Sequence, residues 1–129
     1  MNLFDFFVQA VTTKYLDFSG RARRKEYWGF TLFDFIIIVA IGFVSHRLRG
    51  SILPTAIGSL STFYSLAVLL PRLAVTVRRL HDCDKSGWWF FIFLIPIIGP
   101  IWLCLLLLIR EGTLGANRFG PDPKAGAMD

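Results

Sequence analysis

The twelve residues Arg78-Arg79-Leu80-His81-Asp82-Cys83-Asp84-Lys85-Ser86-Gly87-Trp88-Trp89 constrain this chain more than any others. The first eight carry seven charged or titratable groups, and the stretch lies between two apolar runs, 52–77 and 88–109. Runs of 26 and 22 residues have membrane length, since ~20 apolar helical residues cross a hydrocarbon core ~30 Å thick. A polar knot between two such runs reads as a tight turn at a membrane surface.

The distribution of charge supports this. The windows 27–44, 52–71 and 86–109 contain a single charged residue, Asp34. Apolar residues make up 54% of the 129, and the mean hydropathy is +0.56. A soluble domain of this size has too little interior to hide so much apolar surface. The expected fold is therefore one all-α integral membrane domain spanning residues 1–129. The formal charge of +5 does not point to nucleic acid. The basic residues flank apolar runs, where anionic lipid headgroups are the simpler partner.

Residues 3–18 place Leu3, Phe4, Phe7, Val8, Val11, Tyr15 and Phe18 at helical spacing, with Asp5, Gln9, Thr12 and Thr13 opposite. This predicts an amphipathic helix that lies in the membrane interface or packs its apolar face on the spans. Ser19-Gly20 breaks it. Four basic residues within Arg21–Lys25 then precede Tyr27-Trp28, which reads as a span start at the headgroup level.

Three spans are expected: 27–44, 52–77 and 88–109. His46, Arg47, Arg49, Gly50 and Pro54 mark a short loop between the first two. Pro96, Gly99 and Pro100 interrupt the third, which predicts a kink. A re-entrant hairpin is the rival reading, with arms 88–95 and 101–109 each too short to cross. Residues 110–129 lack apolar periodicity and read as an irregular tail, mobile at least past Pro121.

With three spans, eight basic residues (Lys14, Arg21, Arg23, Arg24, Lys25, Arg78, Arg79, Lys85) share one side, against five (Arg47, Arg49, Arg110, Arg118, Lys124) on the other. That balance places the N-terminus in the cytoplasm and the C-terminus outside. Asp34 then lies roughly 10 Å, and Arg72 roughly 8 Å, below the same boundary. They are expected to form an intramembrane ion pair, because either charge alone is costly there. The alternative is that Arg72 snorkels to the headgroups while Asp34 faces a wet crevice.

The knot offers His81, Asp82, Cys83 and Asp84, but neighbours in a short turn rarely converge on a metal, and no remote ligand set accompanies them. No metal and no cofactor is expected. Cys83 and Cys104 fall at different depths, so no disulfide is expected. Arg78 and Arg79 close the carboxyl end of the second span, and Ser86 is expected to cap the third. A helix N-terminus, a hydroxyl and several basic groups also make a seat for phosphate. The candidate lipid or phosphate contacts are Arg21, Arg23, Arg24, Arg78, Arg79, His81, Lys85, Ser86 and Trp88.

The run Phe18-Ser19-Gly20-Arg21-Ala22-Arg23-Arg24-Lys25-Glu26-Tyr27-Trp28 resembles the opening signature of the DUF805 family of small bacterial inner-membrane proteins. Arg78-Arg79-Leu80-His81-Asp82 with Lys85-Ser86-Gly87-Trp88-Trp89 is similar to its second signature. Ile95-Pro96-Ile97-Ile98-Gly99, and Gly112 through Asn117-Arg118-Phe119-Gly120-Pro121-Asp122-Pro123, are similar to its third and fourth. Cys83-Asp84 departs from the small hydroxylic residue and glycine usual there. The resemblance implies helical spans in a bacterial inner membrane. It implies no activity and no catalytic residue.

The leading functional expectation is a non-enzymatic protein whose cytoplasmic basic–aromatic face binds anionic lipid, another membrane protein or a second copy. One alternative is a subunit of an oligomeric transporter or pore that uses Asp34, Arg72 and His81. Another is a lipid- or phosphate-ester-modifying enzyme with His81 as base and Asp82 orienting it.

Overall fold

The computed structural model describes residues 2–47 and 53–123, with side-chain surroundings from residue 58 onward in the second block. Arg49 and Gly50 of the expected loop lie outside these residues. Among the described residues the structure is helical, apart from turns and one isolated bridge between Asn117 and Gly120.

Helix α1 spans Leu3–Val11. Asn2 and Asp5 form a reciprocal capping box that satisfies two otherwise orphaned N–H groups. The helix stops well short of the expected Phe18. The hydroxyls of Thr12 and Thr13 donate to the carbonyls of Val8 and Gln9, and residues 12–16 form turns instead. The apolar face of α1 packs on the next helix, with Phe7 stacked on Phe30 and Phe4 edge-on to Phe33.

Helix α2 spans Arg24–Arg47 and extends beyond the expected 27–44 at both ends. Helix α3 spans Leu53–Asp82. Pro54, expected in the loop, sits in its first turn, where the missing N–H costs nothing. Arg78–Asp82 belong to the last turn of α3, so the tight turn is only Cys83–Ser86. Asp84 takes φ 58° there, a left-handed conformation that aspartate tolerates and glycine prefers.

Pro71 lies inside α3 and cannot donate to the carbonyl of Ala67 one turn back. The hydroxyl of Tyr15 takes that carbonyl instead. The segment after α1 is thereby tied to the middle of α3.

The expected third span does not form one kinked helix. Gly87–Leu94 is a 3-10 helix, Ile95–Ile97 turns, and α4 spans Ile98–Cys104 before a π-helical turn, Leu105–Ile109. Pro96 and Pro100 each lack the N–H that a continuous helix needs. Ile97 adopts φ 68°, which reverses the chain. The arms then fold onto each other: a Cβ on Gly99 would fall 1.9 Å from the carbonyl oxygen of Ile92. At ~2.0 and ~1.5 Å per residue, arms of 8 and 12 residues reach only about 16 and 18 Å. Both ends of the hairpin return to the end of α3. Gly87 approaches Val77, and Leu107 accepts a hydrogen bond from Arg79.

Two buried clusters hold these parts together. Ala10, Ala22, Phe30, Val68 and Val75 join α1, α2 and α3. Leu80, Leu103, Leu106 and Leu107 join α3 to the hairpin, and Tyr27 touches both clusters. The most apolar windows of α2 and α3 are only 17% and 28% buried. Soluble core helices bury most of such a face, so Phe35, Phe43, Phe63 and Leu66 stand exposed as they would toward lipid. Among the described residues two helices, not three, are long and apolar enough to cross a membrane.

Candidate functional site

The last carbonyls of any helix have no partner within it. At the end of the hairpin those carbonyls face protein side chains. Cys83 Sγ lies 3.6 Å from Leu106 O, Arg79 Nε donates to Leu107 O at 2.9 Å, Trp28 Nε1 to Leu108 O at 2.8 Å, and Arg24 Nη1 to Ile109 O at 3.0 Å. Arg79 Nη2 also donates to Arg110 O. The basic–aromatic motifs at the head of α2 and the tail of α3 thus cap a helix end.

Asp82 is the centre of the knot. Its carboxylate accepts from Arg21 at 3.0 Å and Arg79 at 2.6 Å, with all three side chains almost wholly buried. Arg21 continues to the carbonyls of Thr113, Gly115 and Gly120 at 2.5, 2.6 and 3.3 Å. Thr113 N donates to Asp82 O, and a Cβ on Gly112 would overlap the Asp82 carboxylate. His81 stacks on Phe119 at 4.0 Å, and Asn117 donates to the His81 carbonyl. The expectation of a mobile tail is corrected for 110–123: this segment is irregular but strapped to the knot, at the same end of the molecule as Arg21. Residues 124–129 lie outside the described residues.

The remaining candidates divide. Arg78 pairs with Glu26, which Lys14 also approaches at 3.6 Å, while Arg78 Nε and Nη2 are buried without a described acceptor. Arg23 is buried beside the Phe6 ring. Lys85 lies over the Trp89 ring, and Trp88 is exposed. Ser86 precedes the 3-10 helix but makes no side-chain capping bond, so its expected role is corrected. His81 Nδ1 faces Gly20 O at 2.9 Å, and Asp82 is taken up by arginines, so the expected His81–Asp82 relay does not form. Burial holds His81 below its usual value and pushes the Cys83 thiol up. No three His, Cys, Asp or Glu side chains converge among the described residues.

Within the apolar layer the structure places Asp34 and Arg72 2.8 Å apart. The guanidinium forks onto the carboxylate through Nε and Nη2, and Tyr64 Oη donates to the same carboxylate at 2.7 Å. Tyr64 is a partner that sequence spacing did not supply.

One open pocket of about 360 Å³ lies between α1 and the knot. Lys14, Arg21 and Arg23 line it against a single carboxylate, Glu26, with Phe6, Gln9 and Pro123 completing the wall. Glu26 was missed in the sequence because it sits unremarked within a basic run. Its signal was its place beside Tyr27-Trp28 at the head of a span.

Three sets of relatives bear on identity. The family described as "Protein of unknown function (DUF805)" matches residues 15–121. Inner membrane protein YhaI of Escherichia coli K12 is 50% identical over 119 residues, covering 92% of this chain and 95% of that one. Inner membrane protein YhaH of the same strain is 48% identical over 115 residues, covering 88% and 93%. The uncharacterized protein YiiR is 26% identical over 81% of this chain and 84% of its own. No solved structure matches this chain. A match across most of the chain, with two near-full-length relatives at about half identity, shows that this protein belongs to the DUF805 family.

Proposed function

We propose that this is a multi-pass protein of the bacterial inner membrane that binds anionic lipid headgroups at its cytoplasmic face. In this reading α2 and α3 cross the bilayer, and the hairpin enters and leaves on the cytoplasmic side. The N-terminal segment and residues 110–123 share that side. The inner-membrane names of two relatives support the location. Charge supports the orientation: among the described residues Lys14, Arg21, Arg23, Arg24, Lys25, Arg78, Arg79, Lys85, Arg110 and Arg118 gather at one end, with Arg47 at the other. That asymmetry is sharper than a three-span arrangement gives.

The carrying observation is the pocket between α1 and the knot, which Lys14 and Arg23 line, together with the exposed Phe4 and Val8 that α1 also carries. Apolar side chains that enter the acyl boundary bring the pocket to headgroup level. Arg21, Arg24, Arg78 and Arg79 are committed to internal partners and belong to the scaffold in this reading. A phosphodiester in the pocket is seated against Lys14 and Arg23.

The test uses full-length protein in nanodiscs, with native mass spectrometry counting retained phosphatidylglycerol and phosphatidylethanolamine. Lys14→Gln with Arg23→Gln removes two cations worth about 1 kcal/mol each near a charged surface, so retention of the anionic lipid should fall ~30-fold. Equal retention of both lipids by the native protein, or no change in the folded variant, sinks the proposal. The transporter alternative has less support, because both carboxylate oxygens of Asp34 are already held by Arg72 and Tyr64.

A further inference from the structure

A second cavity, of about 380 Å³, lies between α3 and the two arms of the hairpin. It is separate from the headgroup pocket and shares no lining residue with it. Its walls are apolar and aromatic, with Tyr27, Phe90 and Phe93 among them, and the volume falls within the ~300–1,000 Å³ of small-molecule sites. Arg72 and Thr76 supply its polar edge.

Arg72 is the unusual element. Its side chain is 36% exposed although it sits five residues, roughly 8 Å, below the end of the apolar run at Val77. Exposure there is exposure to the cavity or to hydrocarbon, and a guanidinium left against hydrocarbon is costly. Nε and Nη2 are engaged by Asp34. A guanidinium has five N–H donors and no acceptor, so Nη1 still calls for an acceptor. The carboxylate already balances the charge, so the acceptor it calls for is neutral. Thr76 donates to the Arg72 carbonyl and adds no competing anion.

We propose that this cavity binds a neutral, lipophilic carbonyl compound, with the carbonyl oxygen accepting from Arg72 and the apolar body lying against Phe90, Phe93 and Leu73. The depth separates this ligand from a headgroup-anchored glycerolipid, whose ester carbonyls stay at the boundary. It fits a molecule dissolved in the acyl layer, such as a ketone or a quinone. The hairpin is what makes the site: a straight third span would not fold its two arms around one face of α3.

Benzophenone is a probe of this class, and on irradiation it inserts into nearby C–H bonds. The experiment irradiates full-length protein in nanodiscs with benzophenone and maps the adducts by peptide mass spectrometry. Adducts should concentrate on 69–76 and 90–108. Excess fluorenone should suppress them at least fivefold, whereas fluorene, the same shape without the carbonyl, should not. Leu73→Trp fills the cavity and leaves the Asp34–Arg72 fork in place, so it should abolish these adducts. Labelling spread evenly over Phe35, Phe43 and Phe63, or equal suppression by fluorene, overturns the proposal. The competitor pair acts on the native protein, so the result stands even if the variant does not fold.

Discussion

Replacing Tyr15 by Phe removes one oxygen, and the structure says what that oxygen does. Pro71 has no N–H, so the Ala67 carbonyl loses its helical partner, and the Tyr15 hydroxyl is the group that replaces it. Leaving a carbonyl unpaired away from water costs about 1–3 kcal/mol. If α3 crosses the membrane, no bulk water reaches Ala67, and a cost near ~2 kcal/mol, about 30-fold in the unfolding equilibrium, is expected. The decisive form is a double-mutant cycle with Pro71→Ala, which returns an N–H to the ladder. In that background the hydroxyl is a second donor, and Tyr15→Phe should cost less than ~1 kcal/mol. The assay is reversible unfolding in mixed micelles, followed by far-ultraviolet circular dichroism. A Tyr15→Phe cost that is the same in both backgrounds refutes the reasoning, because the hydroxyl would then not be compensating for the proline.

Further outcomes follow from the same structure. Exchanging Asp34 and Arg72 singly should cost about 2–3 kcal/mol and lower folded yield, and the double exchange should recover part of it; size-exclusion yield reads this directly. Arg79→Lys keeps the charge but cannot reach Leu107 O, Arg110 O and Asp82 together, so it should destabilise by about 2–4 kcal/mol in the same unfolding assay. Burial holds folded His81 below the ordinary histidine value of 6.5, so its contribution is complete above that value and is lost as the pH falls through the depressed folded value. The 110–123 strap should therefore be cut by protease faster at pH ~5 than at pH ~7.5, and His81→Gln should flatten that difference.

The two long apolar helices and the facing of Asp34 with Arg72 were legible because each rests on a length or depth that rise per residue fixes. The third segment was not. Residues 88–109 have the length of a span, and hydropathy reads length without direction. Pro96 and Pro100 mark a break, but whether the chain continues or reverses depends on Ile97 and on Gly99 lying against Ile92, which are tertiary facts. The roles of the arginines were hidden for a related reason. An arginine beside an apolar run reads the same whether it meets lipid phosphate or a backbone carbonyl. Arg21, Arg24 and Arg79 meet carbonyls, and every residue carries one, so no side-chain pattern announces them. The strap 110–123 was unreadable because it is held through those same acceptors rather than through an apolar stripe.

The side of the membrane on which the C-terminus lies tests the hairpin most directly. Paired reporters fused after Asp129 in an inner-membrane host, one active only in the cytoplasm and one only in the periplasm, give a two-way answer. Two crossings and a returning hairpin predict the cytoplasmic signal. A periplasmic signal would mean that 88–109 crosses the membrane, and the capped helix end, the strapped tail and the cavity between the arms would all fall with the hairpin.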